Sequence, residues 1–184
     1  QQSAPQSGES GAGVSVDRVV VTAQKRAEDV QDVPISITAF SSDMLEESGV
    51  TDIHDLSRIT PGLYMATAPQ KVNTRVAIRG IGTSGNTAIE PSVAFFLNGV
   101  YTPRVGSLLS GLNDIDTIEV LRGPQGTLFG RNASSGAVSV RTARPTDTYG
   151  GEAGVGVGSF GGRSASGVFN APITDTWGLR LSAL

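Results

Sequence analysis

From Gly150 onward the chain falls into a two-residue period that only one kind of backbone can satisfy. Gly150-Gly151-Glu152-Ala153-Gly154-Val155-Gly156-Val157-Gly158-Ser159-Phe160 alternates, with glycine mostly on one side and Ala or Val on the other. Arg163 to Phe169 and Trp177 to Leu184 continue the alternation, with a turn expected between them at Asn170-Ala171-Pro172. Side chains two positions apart share a face only in an extended strand, which excludes a helix here. Alternating segments of about 10 residues joined by turns match strands that cross membranes as β-barrels.

Upstream of Pro145 that period is absent. Residues 1–15 are mostly Gln, Ser, Gly, Ala and Pro, too poor in apolar surface to offset ordering entropy, and are expected to form a flexible leader. Val16 to Ala23 is a β-branched run with no evident local partner, because Gln24 to Asp32 is polar. It is either an ordinary edge strand or a segment that adds to a sheet edge of another protein through backbone hydrogen bonds.

Val33 to Phe40 alternates apolar and polar residues and predicts a half-buried strand with Pro34 near its start. Ser42 or Asp43 is expected to cap a short helix that stops at Gly49. Thr51 is expected to cap a second, carrying Ile53, Leu56 and Ile59 and closed by Pro61-Gly62. Further strands read at Arg75 to Arg79, Val93 to Val100, Thr117 to Leu121 and Ala137 to Thr142, with a helical turn over Val105 to Leu112. Strands and short helices interleaved over Val33 to Thr142 predict a mixed α/β or α+β domain.

Composition removes several functions. Fourteen Lys and Arg against 17 Asp and Glu leave a net charge of −3, so no positive field is available to hold nucleic acid. Only Lys25 and Lys71 are lysines, and the excess of planar, permanently charged arginine suits fixed, desolvated ion pairs. With no Cys and a single His54 the chain has no disulfide, no thiolate zinc site and no multi-histidine metal cluster. No apolar run reaches the length of a membrane-spanning helix, and the start at Gln1 lacks the pattern of a signal peptide.

Gly80-Ile81-Gly82-Thr83-Ser84-Gly85 has the glycine spacing of a dinucleotide loop and follows a predicted strand. No helical pattern follows it, and no acidic residue stands about 20 positions on to hold a ribose. The same spacing recurs at Gly156 to Gly161 inside the alternating strand, so a nucleotide-dependent enzyme is the weaker reading. His54, near Asp52 and Asp55, reads as part of a solvated helix face, and Asp114 and Asp116 as turn-forming residues. Residues 118–138, IEVLRGPQGTLFGRNASSGAV, form the most specific stretch: a strand, a Gly-Pro turn and a glycine-rich connection leading into another strand.

That stretch closely resembles the glycine-rich signature of the plug domain of TonB-dependent outer-membrane transporters, and the resemblance continues along nearly the whole chain. Asp17, Val19, Val20, Val21, Thr22 and Ala23 look like the TonB box. Val33 to Leu63, Arg75 to Gly82 (RVAIRGIG) and Phe95 to Tyr101 (FFLNGVY) resemble successive plug elements, and Gly150 onward the first barrel strands. Asn98 stands where the family usually has Asp, so an ion pair there becomes a neutral hydrogen bond.

The resemblance implies an α+β chain: a mixed-sheet plug with short helices, then the first antiparallel strands of an outer-membrane barrel of 22 strands. Expected divisions are a leader at 1–15, TonB box and linker at 16–32, plug at 33–145 and barrel start at 146–184. The chain is then the N-terminal portion of a longer transporter with no room for a signalling domain before Val16. It implies no enzymatic activity and no cofactor. The expected location is the outer membrane of a Gram-negative bacterium, plug in the barrel lumen and leader facing the periplasm. Implied partners are TonB and a scarce extracellular ligand, foremost a ferric siderophore, otherwise a saccharide, cobalamin or an aromatic compound.

By the same resemblance Arg75, Arg79 and Arg122 pair with carboxylates on the inner barrel wall. Gly123, Pro124, Gly126, Gly130, Arg131 and Asn132 form the structural loop, and replacing Gly126 by Val is expected to block assembly. Thr83, Ser84, Asn86, Tyr101 and Arg104 lie in polar loops that either meet the ligand or close the top of the plug.

Overall fold

The computed structural model describes residues 20–21, 28–66, 74–82, 90–103, 113–174 and 176–184. The helical turn expected over 105–112 lies outside them. A short antiparallel pair, β1 (Val20–Val21) and β2 (Glu28–Asp29), precedes the domain. Next come β3 (Ser36–Ser41), α1 (Ser42–Glu47), a 3₁₀ turn at Ile53–Asp55 and α2 (Leu56–Ile59). A three-stranded sheet follows from β4 (Leu63–Ala66), β5 (Arg75–Ile78) and β6 (Ile81–Gly82).

The main sheet combines β3 with β7 (Val93–Leu97), β8 (Val100–Thr102), β9 (Ile115–Arg122) and β10 (Gly136–Thr142) in the order β3-β9-β10-β7-β8. β10 lies parallel to β7 and antiparallel to β9. The expected interleaving of strands and short helices is therefore found, as an α+β domain around a mixed sheet.

Alternation along these strands produces two apolar faces. Phe40, Ile118, Val120, Val138, Val140, Val93 and Phe95 point one way and are covered by Leu45, Ile53 and Leu56 and by Leu63, Met65, Val76 and Ile78. The opposite face carries Leu121, Ala137, Ala94 and Phe96. Ile35 and Ile37 pack both against this second group and against Val21, Val33 and Ala39.

Several local readings change. The run at Val93 to Val100 is a bent hairpin: Asn98 and Gly99 take φ of 51° and 81° and turn β7 into β8, with Leu97 opposite Val100. Two left-handed residues in succession match the twist of the flanking strands, and Asn-Gly is the pair that tolerates them best. Arg79-Gly80, at φ 53° and 79°, likewise joins β5 to β6. Gly82 then faces the Val76 carbonyl so closely that a Cβ could not fit. Gly80 and Gly82 thus serve a hairpin, which accounts for the spacing that imitates a nucleotide loop.

The helix caps shift by one residue. Ser41 caps α1 by accepting from Met44 N at 3.4 Å. Asp52, not Thr51, caps the second helical segment in a reciprocal box with Asp55. Burial alone would push the Asp55 carboxyl up, but backbone N–H donors of Thr51 and Asp52, the Thr51 hydroxyl and Arg58 together hold it below the usual aspartate value.

After the domain, β11 (Gly150–Val157), β12 (Arg163–Thr174) and β13 (Trp177–Ala183) form an antiparallel sheet. β12 runs straight through Asn170-Ala171-Pro172, so the expected turn is not there; the strand ends at Thr174, which pairs with Trp177 at the start of β13. The proline is tolerated because β11 stops opposite Asn170, leaving Pro172 on a stretch with one open side. One face carries Val155, Val157, Phe169, Leu179 and Leu181, and Val155 and Val157 are 92% and 91% exposed. The other carries Glu152, Ser164, Ser166, Asn170, Arg180 and Ser182. Among the described residues no helix is long and apolar enough to cross a membrane.

In the glycine-rich connection the tight position is Gly136, where a Cβ would strike the Leu121 carbonyl and approach Ile78 Cδ1 to 2.6 Å. Gly126 opens the short helix α3 (Gly126–Phe129) and has open space around it. Gly136→Ala is expected to lower stability by about 1–3 kcal/mol, while Gly126→Ala stays within about 0.5 kcal/mol, as read from urea denaturation midpoints. For the cap, Asp55→Ala should cost about 1 kcal/mol at neutral pH. A depressed folded pKa stabilises above the ordinary aspartate value and loses that stabilisation as pH falls through the folded value. The gap between variant and parent should therefore narrow below pH 3.8.

Candidate functional site

Three groups of residues stand out, and each owes its position to a backbone feature. The first is the N-terminal pair. Val20 is opposite Asp29 and Val21 opposite Glu28, so the β-branched run does have a local partner, which its polar flank concealed. Val21 is fully buried against Val33 and Ala39. Asp17, Val19, Thr22 and Ala23 lie outside the described residues.

The second group is an arginine edge. Arg79 occupies the β5–β6 turn, and its backbone N–H donates to Gly62 O at 2.8 Å. A methyl group built on Gly62 would lie 3.9 Å from Arg79 Cγ, and one on Gly123 3.7 Å from Arg79 Nη1. Arg122, at the end of β9, donates from Nη1 to Pro61 O at 3.2 Å, while its Nε is buried without a hydrogen-bond partner among the described residues. The Arg79 side chain therefore lies beside Gly62 and Gly123, and the Arg122 guanidinium on the neighbouring Pro61. Arg75 is exposed four positions back along β5, opposite Ala66, and does not join them. Among the described residues neither Arg79 nor Arg122 has a carboxylate within ion-pair distance, and a guanidinium is suited by its planar fork to pair with one.

The third group surrounds the glycine-rich connection. Gly123 N donates to Ser135 O at 3.0 Å and Gln125 N to Ala133 O at 2.8 Å, so the segment closes on itself. Gly123, Gly130 and Asn132 adopt φ of 110°, 77° and 73° within it, and Pro124 is exposed. Asn132 Nδ2 donates to the Tyr101 hydroxyl at 2.8 Å. The Tyr101 ring stands 5.8 Å from Phe96, which stands 5.0 Å from Phe129, both tilted as aromatic pairs prefer. Arg131 makes an exposed ion pair with Glu90 at 3.4 Å. Thr83, Ser84, Asn86 and Arg104 lie outside the described residues. The connection thus reaches the arginine edge at Gly123 and the aromatic group at Asn132. Asn98 accepts from Thr142 N and donates to Thr142 Oγ1, both at 3.0 Å, as neutral hydrogen bonds.

Sequence reasoning passed over Arg180 and gave Asp114 and Asn170 as turn residues; in the structure Asp114 and Arg180 join the domain to the β11–β13 sheet, and Asn170 holds Thr146 and Thr148 of the connection. The signal was present: Arg180 and Asn170 are polar residues on one side of alternating strands, where a solvated face needs no long side chain.

Residues 29–137 match the family model described as the TonB-dependent Receptor Plug Domain. The pesticin receptor of Yersinia pestis is 31% identical over 159 residues, covering 85% of this chain and 23% of that protein. The catecholate siderophore receptor Fiu of Escherichia coli K12 is 25% identical over 159 residues, with 84% and 20% covered. Among solved structures, the ferric yersiniabactin uptake receptor FyuA from Yersinia pestis superposes with a TM-score of 0.71 at 30% identity, over 77% of this chain and 22% of that one. The chain spans about a fifth to a quarter of the length of these relatives.

Tyr101→Phe and Asn132→Ala should each cost about 1 kcal/mol. A double-mutant cycle should give a coupling of about 0.5–1.5 kcal/mol; strict additivity would show that the hydrogen bond does not hold the connection.

Proposed function

The chain belongs to the TonB-dependent receptor plug family, matched over more than half its length, and on that premise we propose that it is the plug and first barrel strands of an outer-membrane importer of a ferric siderophore. The observation that carries the reading is the sidedness of β11–β13. Their polar face carries Arg180, bonded to Asp114 of the preceding domain, and Asn170, bonded to Thr146 and Thr148 of the connection, while the opposite face exposes Val, Phe and Leu. A lumen filled by a plug and an outer face against lipid require that arrangement. An open three-stranded sheet cannot persist in lipid, so the remaining strands belong to a longer protein in a Gram-negative outer membrane.

In this reading residues 1–15 are the leader, 16–32 the TonB box and linker, 33–145 the plug and 146–184 the barrel start. Asp17 and Val19 to Ala23 pair with TonB by strand addition, needing backbone hydrogen bonds and no reactive side chain. Arg79 and Arg122 meet carboxylates on the barrel wall, with Arg75 making a separate contact. The placing of Arg79 beside Gly62 and Gly123 and of Arg122 on Pro61, with Arg122 Nε unpartnered among the described residues, supports this assignment. Thr83, Ser84, Asn86, Tyr101 and Arg104 form the outward loops. Ferric siderophore is favoured because the named relatives include a ferric yersiniabactin uptake receptor and a catecholate siderophore receptor. The chain acts as a gate and carries out no catalysis.

Deleting Val19 to Thr22 should abolish uptake of ferric siderophore while binding at the cell surface stays within about twofold. Radiolabelled iron accumulation measures the first and binding to chilled, de-energised cells the second. Retained uptake would remove the segment from energy coupling.

A further inference from the structure

Beyond the arginine edge, among the described residues one ion pair joins the plug to the barrel strands, and its surroundings give it a specific task. Asp114 precedes β9 in the left-handed region at φ 55°. Its carboxylate receives Arg180 Nε at 2.8 Å on Oδ2 and Arg180 Nη2 at 2.6 Å on Oδ1. The two side chains are only 10% and 22% exposed. Its backbone carbonyl accepts from Ala143 N at 2.9 Å, the residue that follows β10. One residue therefore fastens the start of β9, the end of β10 and β13.

Directly opposite Arg180 in the ladder stands Asn170, 2% exposed. Its Oδ1 accepts from Thr146 N at 3.0 Å, and its Nδ2 donates toward Thr146 O, Thr146 Oγ1 and Thr148 O at 3.0, 2.8 and 2.6 Å. The connection from plug to barrel is thus seated on β12 while the plug sheet is seated on β13. Charge-assisted, bidentate bonds in a water-poor setting are the strongest polar contacts a protein makes, and removing one partner strands the other. At the other end of the domain β1 and β2 share two residue pairs.

We infer that Asp114, Arg180 and Asn170 form a latch that fixes the plug to the first barrel strands, so that opening of the plug is confined to segments N-terminal to Asp114. The inference rests on the reading of β11–β13 as barrel strands. Residues 36–41 are then the part free to separate, and the ends of β9 and β10 at Asp114 and Ala143 are the fixed end.

Native-state hydrogen exchange in low urea on the full-length receptor, in detergent and without ligand, tests this. In the parent, amides of residues 36–41 should open at lower urea than those of 143–149. Arg180→Gln and Asp114→Asn, the latter tolerated at a left-handed position, should raise exchange at 143–149 at least about tenfold and let both segments open together. Arg180→Lys keeps the charge without the fork and should fall between. Unchanged exchange at 143–149 in both variants, or simultaneous opening in the parent, overturns the latch. So does a uniform rise across all strands, which is what general destabilisation would give. Because the readout uses no ligand, failure of the siderophore assignment leaves it intact. Failure of the parent to insert into outer membranes overturns the barrel reading and the latch with it.

Discussion

The domain depends on the place of β10 between two strands of opposite direction. It pairs antiparallel with β9 and parallel with β7, and its side chains feed both apolar faces through Val138 and Val140 on one and Ala137 on the other. A parallel neighbour cannot be reached by a tight turn, so the chain must travel from β7 through β8 and β9 before β10 can be inserted. That return passes through the glycine-rich connection. It ends at Gly136, where strand pairing brings the Leu121 carbonyl and Ile78 into the space a side chain would fill. The connection's backbone bonds to Ser135 and Ala133, and the approach at Gly136, are consequences of closing this one pairing.

Much of the fold was legible because its strands obey their period. Ala137 to Thr142 and Thr117 to Leu121 were recovered within a few residues, since alternating burial leaves a direct imprint on composition. What escaped was punctuation. Asn98-Gly99 is a strong hairpin signal, yet it lies inside a continuous apolar run that reads as one strand. Asn170-Ala171-Pro172 has turn composition, but Asn170 is spent holding Thr146 and Thr148, and Pro172 falls where β12 has lost a neighbour. Turn residues mark where the backbone is free to bend, and tertiary contacts decide whether it does.

The site was legible unevenly for a related reason. Arg79 and Arg122 lie 43 positions apart in sequence, and the contacts that put Arg79 beside Gly62 and Gly123 and Arg122 on Pro61 depend on the packing of the β5–β6 hairpin beside the end of β9. Nothing in the spacing announces it. The excess of arginine over lysine did point to fixed ion pairs, and Arg180 realises one within the chain. In the proposed reading Arg79 and Arg122 find their carboxylates on the barrel wall, whereas Arg180 already holds Asp114 within the chain.

In the proposed reading the N-terminal pair is a handle that contains a buried residue. Val21 packs against Val33 and Ala39, and withdrawing it costs about 1.5–3 kcal/mol of apolar burial. Against this, β1 offers only two residue pairs to β2. A partner strand that pairs with the whole of Val19 to Ala23 can provide more backbone bonds than it displaces, and a net hydrogen bond is worth about 0.5–1.5 kcal/mol. The balance is therefore close, which suits the role proposed for this segment, docked when unengaged and released when TonB pairs with it. Ile35 and Ile37 contact both the Val21 group and the Phe96 face, so removal of Val21 uncovers part of the surface that holds residues 36–41 in place. Loosening would begin on the side of the sheet farthest in strand order from β8, at β3, which has β9 as its one neighbour.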